Sequence, residues 1–238
     1  ALCGRTRALI SVDLSTAALE EARAAVGEAA TDAQRMRAQT ELLGLLVERG
    51  ESEAAIDAGR SLMALARRLD DRDRMVRTAC HMASALCRLG RADESLELLL
   101  PLRAWVDEQP DDALRMLWHG DWAVTLGNLG RLREAVQAYE SARAAARRAG
   151  LADAEGRLMM NCAVTLRQSG RFDQALALAR EGQARSAQDT NDATHRAIGR
   201  LVIARDEIDT GCYGPALASL EDVLAQFEST RAGFWSHA

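Results

Sequence analysis

Cys80, His81 and Cys87 are the residues best suited to chemistry in this chain. A thiol beside an imidazole can act as a nucleophile, and two thiols can hold a metal or close a disulfide. The spacing argues against each use. On a helix, Cys80 and Cys87 lie about 10 Å apart at about 1.5 Å per step, beyond disulfide reach. Neighbouring helix residues point about 100° apart, so His81 does not face the Cys80 sulfur. No C-x-x-C, H-x-x-x-H, G-x-S-x-G or G-x-G-x-x-G occurs. Cys162 and His119 read as packed residues, and His195 and His237 stand singly in polar surroundings. Every basic residue is Arg; the absence of Lys removes the phosphate-loop and Schiff-base lysines. No catalytic residue, metal or cofactor is expected.

The elements that would position these residues follow from composition and period. The chain has 238 residues, 30 basic against 35 acidic, and a net charge of −5. Aromatics at 4 % and three Pro favour helix over strand. No run approaches the roughly 18 apolar residues of a membrane span, and the amino end lacks the apolar core of a leader peptide. Five Cys without framework spacing read as reduced thiols in a cytoplasmic protein. The absence of an initiator Met and the abrupt end suggest an excerpt from a longer chain.

Gly50, Gly90, Gly130, Gly170 and Gly211 are spaced by 40, 40, 40 and 41 residues. A small residue follows five later, at Ala55, Ser95, Ala135, Ala175 and Ala216. Seven before each Gly stands Leu43, Ala83, Ala123, Ala163 or Ala204. This pattern predicts a helix ending at each Gly, a tight turn, and an antiparallel second helix. Each pair buries only part of its apolar face, so pairs must stack. First helices are expected near 31–49, 71–89, 111–129, 151–169 and 191–210. Second helices are expected near 52–69, 92–108, 132–149, 172–188 and 214–228, with a leading helix near 14–28 and another from about 231. Thr31-x-x-Gln34 reads as a capping box, Asp111 or Asp112 and Thr190 or Asn191 as caps, and Pro101 should kink or split its helix. Trp118 and Trp122, with Trp105 before them, read as packing between repeats or as an open anchor, and Trp235 as a core residue.

Gly130-Arg131-Leu132-Arg133-Glu134-Ala135 and Gly170-Arg171-Phe172-Asp173-Gln174-Ala175 resemble the turn of the tetratricopeptide repeat (TPR) family. The resemblance covers about residues 31–228 in five pairs, near 31–69, 71–108, 111–149, 151–188 and 191–228. The period is 40 rather than 34, similar to the long arrays of bacterial transcription activators and signalling proteins. It implies an all-α fold, a right-handed α-α superhelix in one solenoid over residues 1–238.

The resemblance also implies that the first helices line a concave wall, at positions thirteen, ten, six, three and two residues before each turn Gly. Those positions hold Arg37, Arg77 and Arg157 in one column, joined by Arg88, Arg167 and Arg205 and opposed by Glu48 and Asp209. Ser84, Val124, Asn128, Met160, Asn161, Val164 and Leu201 complete the expected ligand-binding set. An Arg fork suits carboxylate or phosphate, so the expected ligand is a protein or an acidic peptide. The Lys positions of the carboxylate clamp found in chaperone-binding members are absent. Nucleic acid is disfavoured, because neither a dominant positive field nor surface aromatics are present. The function expected is a non-catalytic sensor or docking segment of a bacterial signalling or transcription regulator, with a flanking output domain and no membrane contact. A free-standing scaffold is the alternative, and the solenoid ends could support a homodimer.

Overall fold

The computed structural model describes the backbone of residues 14–186 and 193–236, and the side chains of 16–185 and 199–225. The described residues are helices joined by short turns. In order they are α1 (Leu14–Glu28), α2 (Asp32–Glu48), α3 (Ser52–Arg68), α4 (Arg72–Arg88), α5 (Ala92–Leu99), a 3-10 turn (Leu100–Leu102) and α6 (Arg103–Glu108). Then come α7 (Asp112–Asn128), α8 (Leu132–Arg148), α9 (Ala152–Gln168), α10 (Phe172–Ser186), α11 (Ala193–Asp209) and α12 (Tyr213–Ser236). The chain forms two compact units, up to Leu129 and from Gly130 onward.

The turns explain the period. Gly50, Gly90 and Gly130 all have φ of 73°, Gly170 77° and Gly211 78°. Nothing lies within 4 Å of where a Cβ would stand on these residues, so the left-handed backbone alone demands Gly. At the first turn the Gly50 N–H donates to the Val47 carbonyl and the Glu51 N–H to that of Leu46, which satisfies the helix end. Thr31 caps α2 through its hydroxyl, and Gln34 returns the bond to the Thr31 N–H at 3.1 Å. Asp111 caps α7, accepting from the N–H groups of Ala113 and Leu114.

In the first unit, Leu19, Met36, Leu43, Leu46, Ile56, Leu62 and Leu86 build a core shared by α1 to α4. Further along, fully buried Trp118 stacks on Trp122 with ring centres 5.2 Å apart, which settles that pair as core. Pro101 splits its helix, as its missing N–H requires. In the second unit, α9 packs closely on α10 because Gly182 has no side chain; a Cβ there would stand 2.7 Å from the Gly156 carbonyl oxygen. Glu155 on α9 is fully buried, yet it accepts bonds from Arg147 on α8 at 2.6 Å and Arg185 on α10 at 2.9 Å. One expectation fails at the carboxyl end. Instead of a helix to 228 and a second from 231, α12 is continuous, with no Pro beyond Pro215 in its first turn to break it. The expected cap at Thr190 or Asn191 and the side chains of His195, Trp235 and His237 lie outside the described residues.

Candidate functional site

On the first helices of each unit, one stripe stays open. In the first unit it runs through Arg37, Glu41, Gly44 and Glu48 on α2, Arg77, His81, Ser84 and Arg88 on α4, and Leu117, Val124 and Asn128 on α7, where Asp121 at the matching position turns its carboxyl into the seam beside Cys80. All are exposed or half-buried. Their steps of four, three and four residues follow one face of a helix. In the first unit the open column is therefore nine residues before the turn Gly, one residue on from the expected ten.

The residues ten and three before the turn lie instead at the seams between neighbouring first helices. Cys80 and Cys87 are buried there: the Cys80 thiol bonds to the Asp121 carboxylate, and the Cys87 sulfur lies 3.7 Å from the Thr125 hydroxyl. Thr125 is itself 2.7 Å from the Ser95 hydroxyl. Arg74 donates across the adjoining seam to the Thr40 hydroxyl at 3.1 Å. In the second unit, Met160 takes the same seam position and is buried beneath Gly199 of α11.

The expected arginines are not electrostatically alike. Arg77 donates to Asp73 at 2.8 Å and to Asp111 at 3.1 Å; the bond to Asp73 raises its pKa above the usual value. In the second unit Arg157 pairs with Asp153, Arg167 with Asp206 at 3.3 Å and Asp209 at 3.6 Å, and Arg205 with Asp209 at 3.7 Å. Arg37 and Arg88 are exposed and have no carboxylate partner among the described residues. Asn161 and Leu201 are exposed, Val164 is half-buried, and Asn128 donates its amide to the Val124 carbonyl at 2.9 Å.

Titratable groups in the seams are shifted mainly by burial. Burial pushes the Asp121 carboxyl up to about 7, against the opposing bond from Cys80, and Asp206 up to about 6, against Arg167. Burial, with Asp121 adding to it, raises Cys80 well above its ordinary value, and Cys162 is raised to about 11. Both therefore stay thiols rather than thiolates at neutral pH. His81 is lowered by burial and by nearby Arg77; His119, 3.4 Å from Asp107, is lowered by burial. Among the described residues no cluster of three His, Cys, Asp or Glu is placed to hold a metal, and no helix is long and apolar enough to cross a membrane. A polar cleft of about 260 Å³ lies at the edge of the Gly170 turn, lined by Arg171, Phe172, Gln174, Asp209 and Thr210.

Known proteins share this arrangement. The chain superposes on BtubC from P. vanneervenii with a TM-score of 0.69 at 16 % identity, covering 91 % of this chain and 89 % of that one. A Pyrococcus horikoshii signal transduction ATPase with numerous domains, which carries a tetratricopeptide repeat sensor, matches with a TM-score of 0.71 at 15 % identity. That match covers 92 % of this chain and 32 % of that one. A Rap protein complexed with Competence and Sporulation Factor gives 0.74 at 10 % identity, covering 96 % and 74 %. At such identities the likeness is one of fold, an all-α solenoid of helical hairpins. No curated protein matches significantly in sequence. The tetratrico peptide repeat family model matches residues 38–145 and again 129–231. By that match, and by the left-handed glycines that produce its hairpins, the chain belongs to the tetratricopeptide repeat family, whose helical hairpins bind protein or peptide partners.

Proposed function

We propose that this chain is a non-catalytic sensor or docking segment of a bacterial signalling or transcription regulator, working in the cytoplasm. Its first-unit stripe takes a protein segment or peptide rich in carboxylates. The observation that carries this reading is the pair of exposed arginines without carboxylate partners, Arg37 and Arg88, on a stripe that also offers Arg77, Ser84, Val124 and Asn128. A guanidinium whose fork is not already occupied can meet an incoming carboxylate bidentately. Arg157, Arg167 and Arg205, with Asn161, Val164, Met160 and Leu201 around them, form the corresponding second-unit set. There a ligand carboxylate would have to displace an internal one, so those residues contribute less to affinity. Ligand contacts spread over several first helices would favour one arrangement of the hairpins, and a flanking output domain would read the change. The buried free thiols of Cys80, Cys87 and Cys162 suit a reducing compartment.

A glutamate-rich peptide labelled for fluorescence anisotropy tests the reading. The native chain should bind it, and Arg37→Glu with Arg88→Glu should weaken binding at least tenfold while leaving the helical circular dichroism unchanged. Equal affinity in that double variant would remove the stripe as the ligand surface.

A further inference from the structure

Arg37 and Arg88 stand at opposite corners of the open stripe in the first unit. Arg37 lies thirteen residues before Gly50 on α2, and Arg88 two residues before Gly90 on α4. The two helices are neighbours, joined by the bond from Arg74 to Thr40. The offset along the helices is about 17 Å of rise and the sideways step about 10 Å, so the two arginines stand about 20 Å apart.

The other two corners are closed to an acid. Arg77, level with Arg37 on α4, already donates to Asp73 at 2.8 Å and to Asp111 at 3.1 Å. Glu48, level with Arg88 on α2, is exposed and has no cation partner among the described residues. An acidic chain laid straight along α2 would end against Glu48. Laid straight along α4, it would begin at an occupied fork. The diagonal from Arg37 to Arg88 instead offers two unoccupied guanidiniums.

The floor beneath that diagonal is low. Gly44 on α2 and Ser84 on α4 stand midway, both half-buried. A Cβ on Gly44 would meet nothing within 4 Å, so no internal packing calls for this glycine. It weakens the helix interior, and what it leaves is room for a passing backbone. Beside it stands half-buried Glu41, again without a cation partner among the described residues. His81, at the matching place on α4, has its pKa lowered by burial and by nearby Arg77, and so adds no charge at neutral pH.

We propose that the stripe selects an extended segment bearing two carboxylates about six residues apart, one for Arg37 and one for Arg88, with no acid between them. This rests on the reading that the stripe takes carboxylates, and it adds their spacing and the path of the chain. Six residues of strand or polyproline II chain cover about 19–20 Å and return both side chains to one side. Wound as an α-helix, the same six residues cover about 9 Å and fall short. A central acid would meet Glu41, whereas a neutral or basic residue would not be repelled there.

Fluorescence anisotropy with labelled serine- and glutamine-based peptides is the test. Each peptide carries two glutamates, placed two, four or six residues apart, so all have the same charge. The six-residue spacing is expected to bind the native chain at least fivefold tighter than the two-residue spacing. A third glutamate at the centre should weaken binding at least threefold, and Glu41→Gln should remove that penalty. Gly44→Leu should weaken binding of the six-residue peptide at least tenfold while the thermal midpoint holds or rises. Equal affinity for every spacing, with Arg37→Glu and Arg88→Glu still weakening each, overturns the proposal and leaves the stripe as a carboxylate surface. A Gly44→Leu chain that binds as the native one does, or a central glutamate that binds equally well, overturns it too. If no peptide binds the native chain, the stripe and the spacing fall together.

Discussion

The Cys80 thiol on α4 is hydrogen-bonded to the Asp121 carboxylate on α7, across the seam between two first helices. This carboxyl titrates at about 7 because burial disfavours its charge.

A group whose folded-state pKa lies above its unfolded value near 3.8 binds its proton more tightly in the folded chain. Its contribution to stability is therefore greatest in acid and is lost as pH rises from about 4 to about 7. Asp206, raised to about 6, acts in the same direction over the lower part of that window. Urea midpoints should fall across this range in the native chain. Asp121→Asn, which keeps the shape and removes the titration, should flatten the fall.

Buried Glu155 makes the opposite kind of demand, since both Arg147 and Arg185 donate to it. Arg147→Ala with Arg185→Ala leaves that carboxylate buried and unmet. The double variant should lose about 3–5 kcal/mol of unfolding free energy at neutral pH, read from denaturant melts. Each single replacement should cost less than half as much.

Trp118 is wholly buried and stacked on Trp122. Its truncation in Trp118→Ala should cost about 3–5 kcal/mol. The near-ultraviolet circular dichroism of the stacked indoles should collapse with it.

Two glycines should respond for different reasons. Gly170→Ala forces a side chain into the left-handed region without any clash, so about 1–2 kcal/mol is expected, and Gly170→Asn should recover part of it. Gly182→Ala keeps an ordinary helical backbone but drives its Cβ into the Gly156 carbonyl, and α9 and α10 must separate. Thermal melting of the three variants separates backbone strain from collision.

Much of the fold was legible because its signals are local. A Gly at every turn, the Thr31–Gln34 box, the Asp111 cap and the break at Pro101 each act within a few residues of themselves. The stripe was less legible. One residue on a helix is a rotation of about 100°, enough to exchange seam residues such as Cys80 and Met160 for open ones such as His81 and Asn161. The charge state of the wall was hidden as well. Arg77 meets Asp111 and Arg167 meets Asp206 across 34 and 39 residues, pairings that depend on how successive helices are laid side by side. Row by row, the sequence shows six arginines, and only the folded neighbours reveal which of them are already occupied.

The break at Pro101 makes the second hairpin mechanically unlike its fellows. Its second arm is three short pieces, of eight, three and six residues, where the other repeats use one unbroken rod of 15 residues or more. A load on the array should concentrate at this weak link. Amide exchange should begin there, and a protease given limited time should make its first cut between Leu99 and Arg103.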